Sequence, residues 1–171
     1  MKILVGYATG YGSTQSYAEV IAEELRRAGH ETDVLPAKEV RNLTPYEFVI
    51  VGGSVRAGNW LGHARRLAKK AVKAGKRHAL FFCCLSARTE EGKRDVFEEY
   101  LEKVKGKIPG LAPLDVGAFP GMANYDEWGG FLRKIMVSMA EKAGETLDRT
   151  MDYRDPEAAR EWAGELAGKL G

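Results

Sequence analysis

Apolar residues along this chain fall into two alternating patterns, short continuous runs and stripes at helical spacing. Ile3 to Tyr7, the partly alternating Glu31 to Leu35, Glu47 to Gly52, His78 to Cys84 and Leu114 to Phe119 are runs of strand length. Continuous apolarity over so few residues marks strands buried on both faces. Between them Ala18, Ile21, Ala22 and Leu25 form a stripe, as do Leu61, Ala64, Leu67, Ala68 and Ala71, and then Phe97, Tyr100, Leu101 and Val104. Each stripe predicts a helix with one buried face. Gly29 stands where the first helix should end, and Thr44-Pro45 marks a turn before the third strand. A last helix opens at Asp155-Pro156, a capping carboxylate followed by proline, and buries Ala159, Trp162, Ala163 and Leu166.

Strands alternating with helices imply right-handed crossovers and a parallel sheet covered on both sides. The fold class expected is therefore α/β, a doubly wound five-stranded parallel sheet in the order 2-1-3-4-5, formed as one domain over residues 1–171. Ligands of such sheets bind beyond the carboxyl ends of the strands, where the winding reverses between strands 1 and 3. That directs attention to the loops after strands 1, 3 and 4. One element is additional: Trp128, Phe131, Leu132, Ile135 and Met139 make a helical stripe between strand 5 and the last helix.

The loop after strand 1 reads Tyr7-Ala-Thr-Gly-Tyr-Gly-Ser-Thr-Gln15. Two glycines and three hydroxyl residues sit there between a strand and a helix N-terminus. Free backbone N–H groups and the positive end of the helix dipole favour a phosphate, while the hydroxyls add donors without adding charge. A P-loop would need Gly-Lys-Ser/Thr, and Gln15 stands where the third glycine of a dinucleotide fingerprint belongs.

Composition narrows the class further. Lys and Arg number 26 against 24 Asp and Glu, a formal net charge of +2, which gives no reason to propose a nucleic-acid partner. Cys83 and Cys84 are adjacent, so they supply neither a disulfide framework nor a zinc or CxxC motif, and a reducing cytoplasm is the expected compartment. No run approaches the roughly 20 apolar residues that span a bilayer. Cys84 reads as a small buried hydrophobe and His63 as a structural residue without a visible partner.

Residues 5–21, Val-Gly-Tyr-Ala-Thr-Gly-Tyr-Gly-Ser-Thr-Gln-Ser-Tyr-Ala-Glu-Val-Ile, resemble the flavodoxin signature, with Gly6 in place of a larger apolar residue. The resemblance implies a flavodoxin-like fold and FMN as cofactor. It makes Thr9, Tyr11, Gly12, Ser13, Thr14 and Gln15 the phosphate contacts. The flavin ring would then lie against Ser54, Val55, Arg56, Ala57, Gly58 and Asn59 after strand 3, and against Leu85, Ser86, Ala87 and Arg88 after strand 4.

Gly53-Ser-Val-Arg-Ala-Gly-Asn, Leu85-Ser-Ala-Arg and Gly144-Glu-Thr-Leu-Asp, together with the additional helix, are similar to the flavodoxin-type, menaquinone-dependent protoporphyrinogen oxidases of haem biosynthesis. That resemblance implies an FMN-dependent oxidoreductase that passes electrons from protoporphyrinogen to a quinone or other acceptor, peripheral to a membrane without spanning it. The alternative is a flavodoxin-type electron carrier acting between partner proteins. The 128–139 helix would then pack on the domain's own core, on a membrane, on a quinone protein or on a second copy in a homodimer. Where those oxidases are rich in arginine and tyrosine, Phe119 to Trp128 carries no arginine.

Overall fold

The computed structural model describes residues 1–124, 130–142 and 150–171. Its main sheet contains β1 (Lys2–Ala8), β2 (Glu31–Pro36), β3 (Phe48–Arg56), β5 (Arg77–Cys84) and β6 (Val116–Pro120), parallel throughout in the order β2-β1-β3-β5-β6. This is the expected 2-1-3-4-5 order. The central strand β1 pairs Val5 with Val34 of β2 on one side and with Ile50 of β3 on the other. A sheet paired and covered this way needs apolar side chains on both faces, which is why the runs were continuous rather than alternating.

The two faces hold separate cores. Helices α1 (Ser13–Arg27) and α6 (Pro156–Leu170) cover one, with Tyr17, Ile21, Leu25, Trp162 and Leu166 packed on Ile3, Ile50 and Phe81. Helix α2 (Gly62–Lys73) covers the other with Ala64, Leu67, Ala68 and Ala71. Gly6 is explained here. A Cβ at this position would overlap the Leu67 side chain, so the glycine of β1 admits a larger residue from α2.

The same face is completed by α3 (Glu90–Asp95) and α4 (Leu101–Lys107), joined by a π-helical turn at Val96–Tyr100. This turn corrects the predicted stripe. Its wider winding places both Val96 and Leu101 in the core and leaves Phe97 41% exposed, so a stripe drawn at regular α spacing chose the wrong aromatic.

Strand β3 also runs past the predicted end at Gly52. It continues to Arg56 and folds back as a hairpin onto β4 (Asn59–Trp60). The connection is a two-residue turn with positive φ at both Ala57 (47°) and Gly58 (70°), the handedness that matches strand twist. Trp60 secures it, buried against Phe82 at 5.0 Å with its Nε1 donating to the Gly53 carbonyl at 3.0 Å. An Ala-Gly pair lacks the asparagine or aspartate that announces such a turn in sequence.

Beyond β6, β7 (Met122–Asn124) and β8 (Thr150–Asp152) pair antiparallel, and the additional helix α5 (Gly130–Lys142) lies between them in the chain. Ile135 of the predicted stripe is 40% exposed. Trp128 and the side chains of Phe131, Leu132 and Met139 lie outside the described residues. Among the described residues no helix is long and apolar enough to cross a membrane.

Ala57 bears a Cβ in a left-handed conformation that glycine adopts freely. Ala57→Gly is therefore expected to raise unfolding stability by about 0.5–1 kcal/mol, read as a higher urea midpoint at unchanged slope.

Candidate functional site

The carboxyl ends of β1, β3, β5 and β6 open into one solvent-exposed cleft with a cavity volume of about 210 Å³. Four segments line it: Gly10, Tyr11 and Ser13 after β1, residues 54–57 at the end of β3, Cys83 to Leu85 at the end of β5, and Gly121 with Met122 after β6. This is the position that doubly wound topology assigns to a ligand.

Its polar end is the start of α1. Gly12 is the N-cap, left-handed at φ 92°, and offers no capping side chain. Helices α3 and α6 are instead capped by Thr89 and Asp155, which accept from Gly92 and Ala158. The first amides of α1 have no carbonyl within the helix to bond, and an anion would satisfy them.

The predicted hydroxyls surround this end, and each is already positioned by a partner. Thr9 Oγ1 accepts from the Gly12 amide at 2.8 Å, closing the loop on itself. Ser13 Oγ accepts from the Met122 amide at 3.0 Å, and Thr14 Oγ1 bonds to Ser54 Oγ at 2.7 Å. A hydroxyl that accepts an N–H keeps its own proton to donate. Ser13 and Thr9 thus stay donors toward an anion while being fixed in place. Arg154, near Ser16, is held by both oxygens of Asp152 at 2.6 and 2.9 Å, and the guanidinium in turn lowers the Asp152 carboxyl below its ordinary pKa. An anion at this helix end would therefore meet amides and hydroxyls, with the nearby cation already neutralised.

Arg56 reaches from the β3–β4 hairpin across to the first loop. Its Nη2 donates to the Tyr11 hydroxyl at 3.0 Å, and the guanidinium lies 5.0 Å from the Tyr11 ring centre. It forms no ion pair among the described residues. Two candidates raised by the sequence, Arg56 and Tyr11, thus become one unit at the mouth of the cleft.

Other expected residues are placed differently. Gln15 turns along α1 to Glu19 at 3.0 Å, and Asn59 bonds back across its hairpin to the Ala57 carbonyl at 3.0 Å, with Gly58 at the turn itself. Leu85 lines the cleft, whereas Ala87 is fully buried in the core. Ser86 bonds to the Cys84 sulfur at 3.3 Å, and Arg88 sits over the Tyr153 ring at 4.8 Å. Gly10, Cys83, Gly121 and Met122 line the cleft without having been singled out. The rule that selected loops after strands 1, 3 and 4 would have found the last two if extended to the final strand.

Cys83 forms part of the floor, beneath Ser13 and Thr14. Burial pushes its thiol pKa up to about 12, with the neighbouring Cys84 adding to the rise. Burial likewise raises Cys84. Both are neutral thiols at ordinary pH, in agreement with the reading of Cys84 as a small buried hydrophobe. Among the described residues no group of His, Cys, Asp and Glu could hold a metal ion.

Residues 4–150 match the flavodoxin domain family. Protoporphyrinogen IX dehydrogenase [quinone] of Escherichia coli strain K12 is 27% identical over 177 aligned residues, covering 98% of this chain and 95% of that one. Among solved structures, a mutant flavodoxin from Pseudomonas aeruginosa superposes with a TM-score of 0.59 at 17% identity, covering 99% of each chain. Two-electron reduced flavodoxin from Megasphaera elsdenii gives 0.56 at 15% identity, over 98% of each.

Two outcomes test this geometry. Thr14→Val removes the bond to Ser54 at nearly constant volume and should cost about 1–2 kcal/mol of stability and about tenfold in affinity for a phosphate-bearing ligand, measured by urea unfolding and calorimetric titration. In the second, the folded protein holds the Cys83 proton up to about pH 12 while the unfolded chain releases it near 9. Stability must then fall with rising pH inside that window. Relative to Cys83→Ala, the wild type should lose up to about 1.4 kcal/mol per pH unit there and nothing below it.

Proposed function

We propose that this chain, which belongs to the flavodoxin domain family and binds FMN, is an oxidoreductase that dehydrogenates a porphyrinogen-type substrate and delivers the electrons to a quinone. One observation carries this reading. The quinone-linked dehydrogenase relative aligns with 98% of the chain, additional helix included, rather than with the phosphate loop alone.

FMN supplies the redox chemistry when bound, and the residues of the cleft fit it. Thr9, Gly12, Ser13 and the first amides of α1 would hold its phosphate, because that helix end has donors and no side-chain cap. The hairpin residues Ser54 to Ala57 and the Cys84-Leu85 segment would wall its ring and exclude water. Arg56, unpaired with any carboxylate among the described residues, stands at the mouth to meet an acidic substrate group. Redox function of the flavodoxin kind follows from the family; the porphyrinogen and the quinone are the proposed part.

The test is anaerobic. Protein loaded with FMN is mixed with protoporphyrinogen, and its visible flavin absorption should bleach; a soluble quinone should then restore it. A flavin that ignores protoporphyrinogen yet is reduced by a flavodoxin reductase would assign the chain instead to electron transfer between proteins.

A further inference from the structure

Charge on the helices is unevenly matched. On α1 Arg27 pairs with Glu23 and Glu24, on α3 Lys93 pairs with Glu90, on α4 Lys105 pairs with Glu102, and on α6 Arg160 pairs with Glu157. Helix α2 has no such pair among the described residues. Residues 62–77 contain seven of the chain's 26 Lys and Arg residues and none of its 24 Asp and Glu residues. The near-neutral total conceals this segment.

Part of that charge lines a second cleft, with a cavity volume of about 310 Å³, between the 37–41 loop and α2. It lies at the carboxyl end of β2, where Ala37 donates to the Tyr7 carbonyl at 2.7 Å, on the face covered by α2 and not by α1. Leu67, Val40 and Ala37 supply its apolar surface, and Lys38, His63, Arg66 and Lys70 its polar one, with no carboxylate on the wall. Glu39 of the same loop is exposed and does not line the cleft.

These cations are held in place. Lys70 Nζ donates to the carbonyls of Val40, at 3.1 Å, and Arg41, which ties the loop to the helix. Two carbonyls occupy two of the three ammonium hydrogens, and among the described residues no carboxylate pairs with the charge. Arg66 Nη2 donates to the His63 ring at 2.9 Å, and among the described residues the rest of its guanidinium fork has no partner. Lys38 faces them from the loop.

We infer that this cleft binds a phosphate group, separately from the FMN cleft. Several cations converging from two walls suit the spread oxygens of a phosphate, and a guanidinium fork beside an ammonium is a common way to hold one. The same chemistry is offered by a free polyphosphate and by the headgroup of an anionic phospholipid.

The test uses FMN-loaded protein, so that the start of α1 is already filled. Inorganic pyrophosphate is titrated calorimetrically into the wild type, into Lys38→Ser/Arg66→Ser, and into Arg27→Ser as a control on another helix. The double variant alters exposed side chains and should keep its flavin spectrum. It should bind at least about tenfold more weakly than the wild type, the worth of one charge-assisted hydrogen bond, while the control is unchanged. A second arm floats the same proteins with phosphatidylcholine vesicles, with and without phosphatidylglycerol. Flotation that requires phosphatidylglycerol and is lost in the double variant identifies a lipid headgroup. Pyrophosphate binding without flotation identifies a free phosphate compound. Absence of binding in both arms, or equal binding by the double variant, overturns the inference; neither result bears on the redox reading, because no electron transfer is measured.

Discussion

The position of one helix end governs this molecule. Three hydroxyls on the first turns of α1 bond to other elements: Ser13 to the amide after β6, Thr14 to Ser54 of β3, and Tyr17 to the Pro120 carbonyl at 2.6 Å. Tyr17 also accepts from the Asp155 amide at 2.8 Å, which fixes where α6 begins. Each bond joins residues far apart in sequence across the carboxyl edge of the sheet. Together they set the uncapped amides of α1 against the ends of β3, β5 and β6. Leaving one of these buried groups unpaired costs about 1–3 kcal/mol, so the site geometry and the stability of the edge are coupled.

The sheet makes that arrangement permissible. Because β1 is buried between α1 and α2 and paired on both sides, it has no freedom to shift, and the loop leaving it starts from a fixed point. The β3–β4 hairpin then raises a wall on the cleft, held down by Trp60 rather than by hydrogen bonds alone. Arg56, carried on that wall, closes toward Tyr11 through a bond and a cation–π contact. Two supports, the fixed end of β1 and the anchored hairpin, therefore converge on one opening.

Charge is organised locally. A chain whose formal net charge is +2 places paired cations along most of its helices and, among the described residues, concentrates unpaired ones on α2. Association and ligand recognition respond to the local field more than to the total. The loop after β1 follows the opposite strategy, presenting amides and hydroxyls where the adjacent Arg154 is neutralised by Asp152.

By itself the sequence determined the strand order, the helices that flank the sheet, and a loop rich in glycine and hydroxyl residues at the start of the first helix. Each of these depends on local patterns: continuous apolar runs, helical stripes, and glycines with hydroxyls between a strand and a helix. Tertiary structure decided what depends on partners distant in the chain. It placed Leu67 in the space Gly6 leaves, extended β3 through a turn without the usual residues, and shifted Val96 inward by a π turn while Phe97 moved out. It joined Arg56 to Tyr11, drew Cys83, Gly121 and Met122 into the cleft, and kept Ala87 out of it. The physical reason is that a local pattern specifies which face of an element is buried, whereas the neighbour that side chain meets is chosen only when the elements pack.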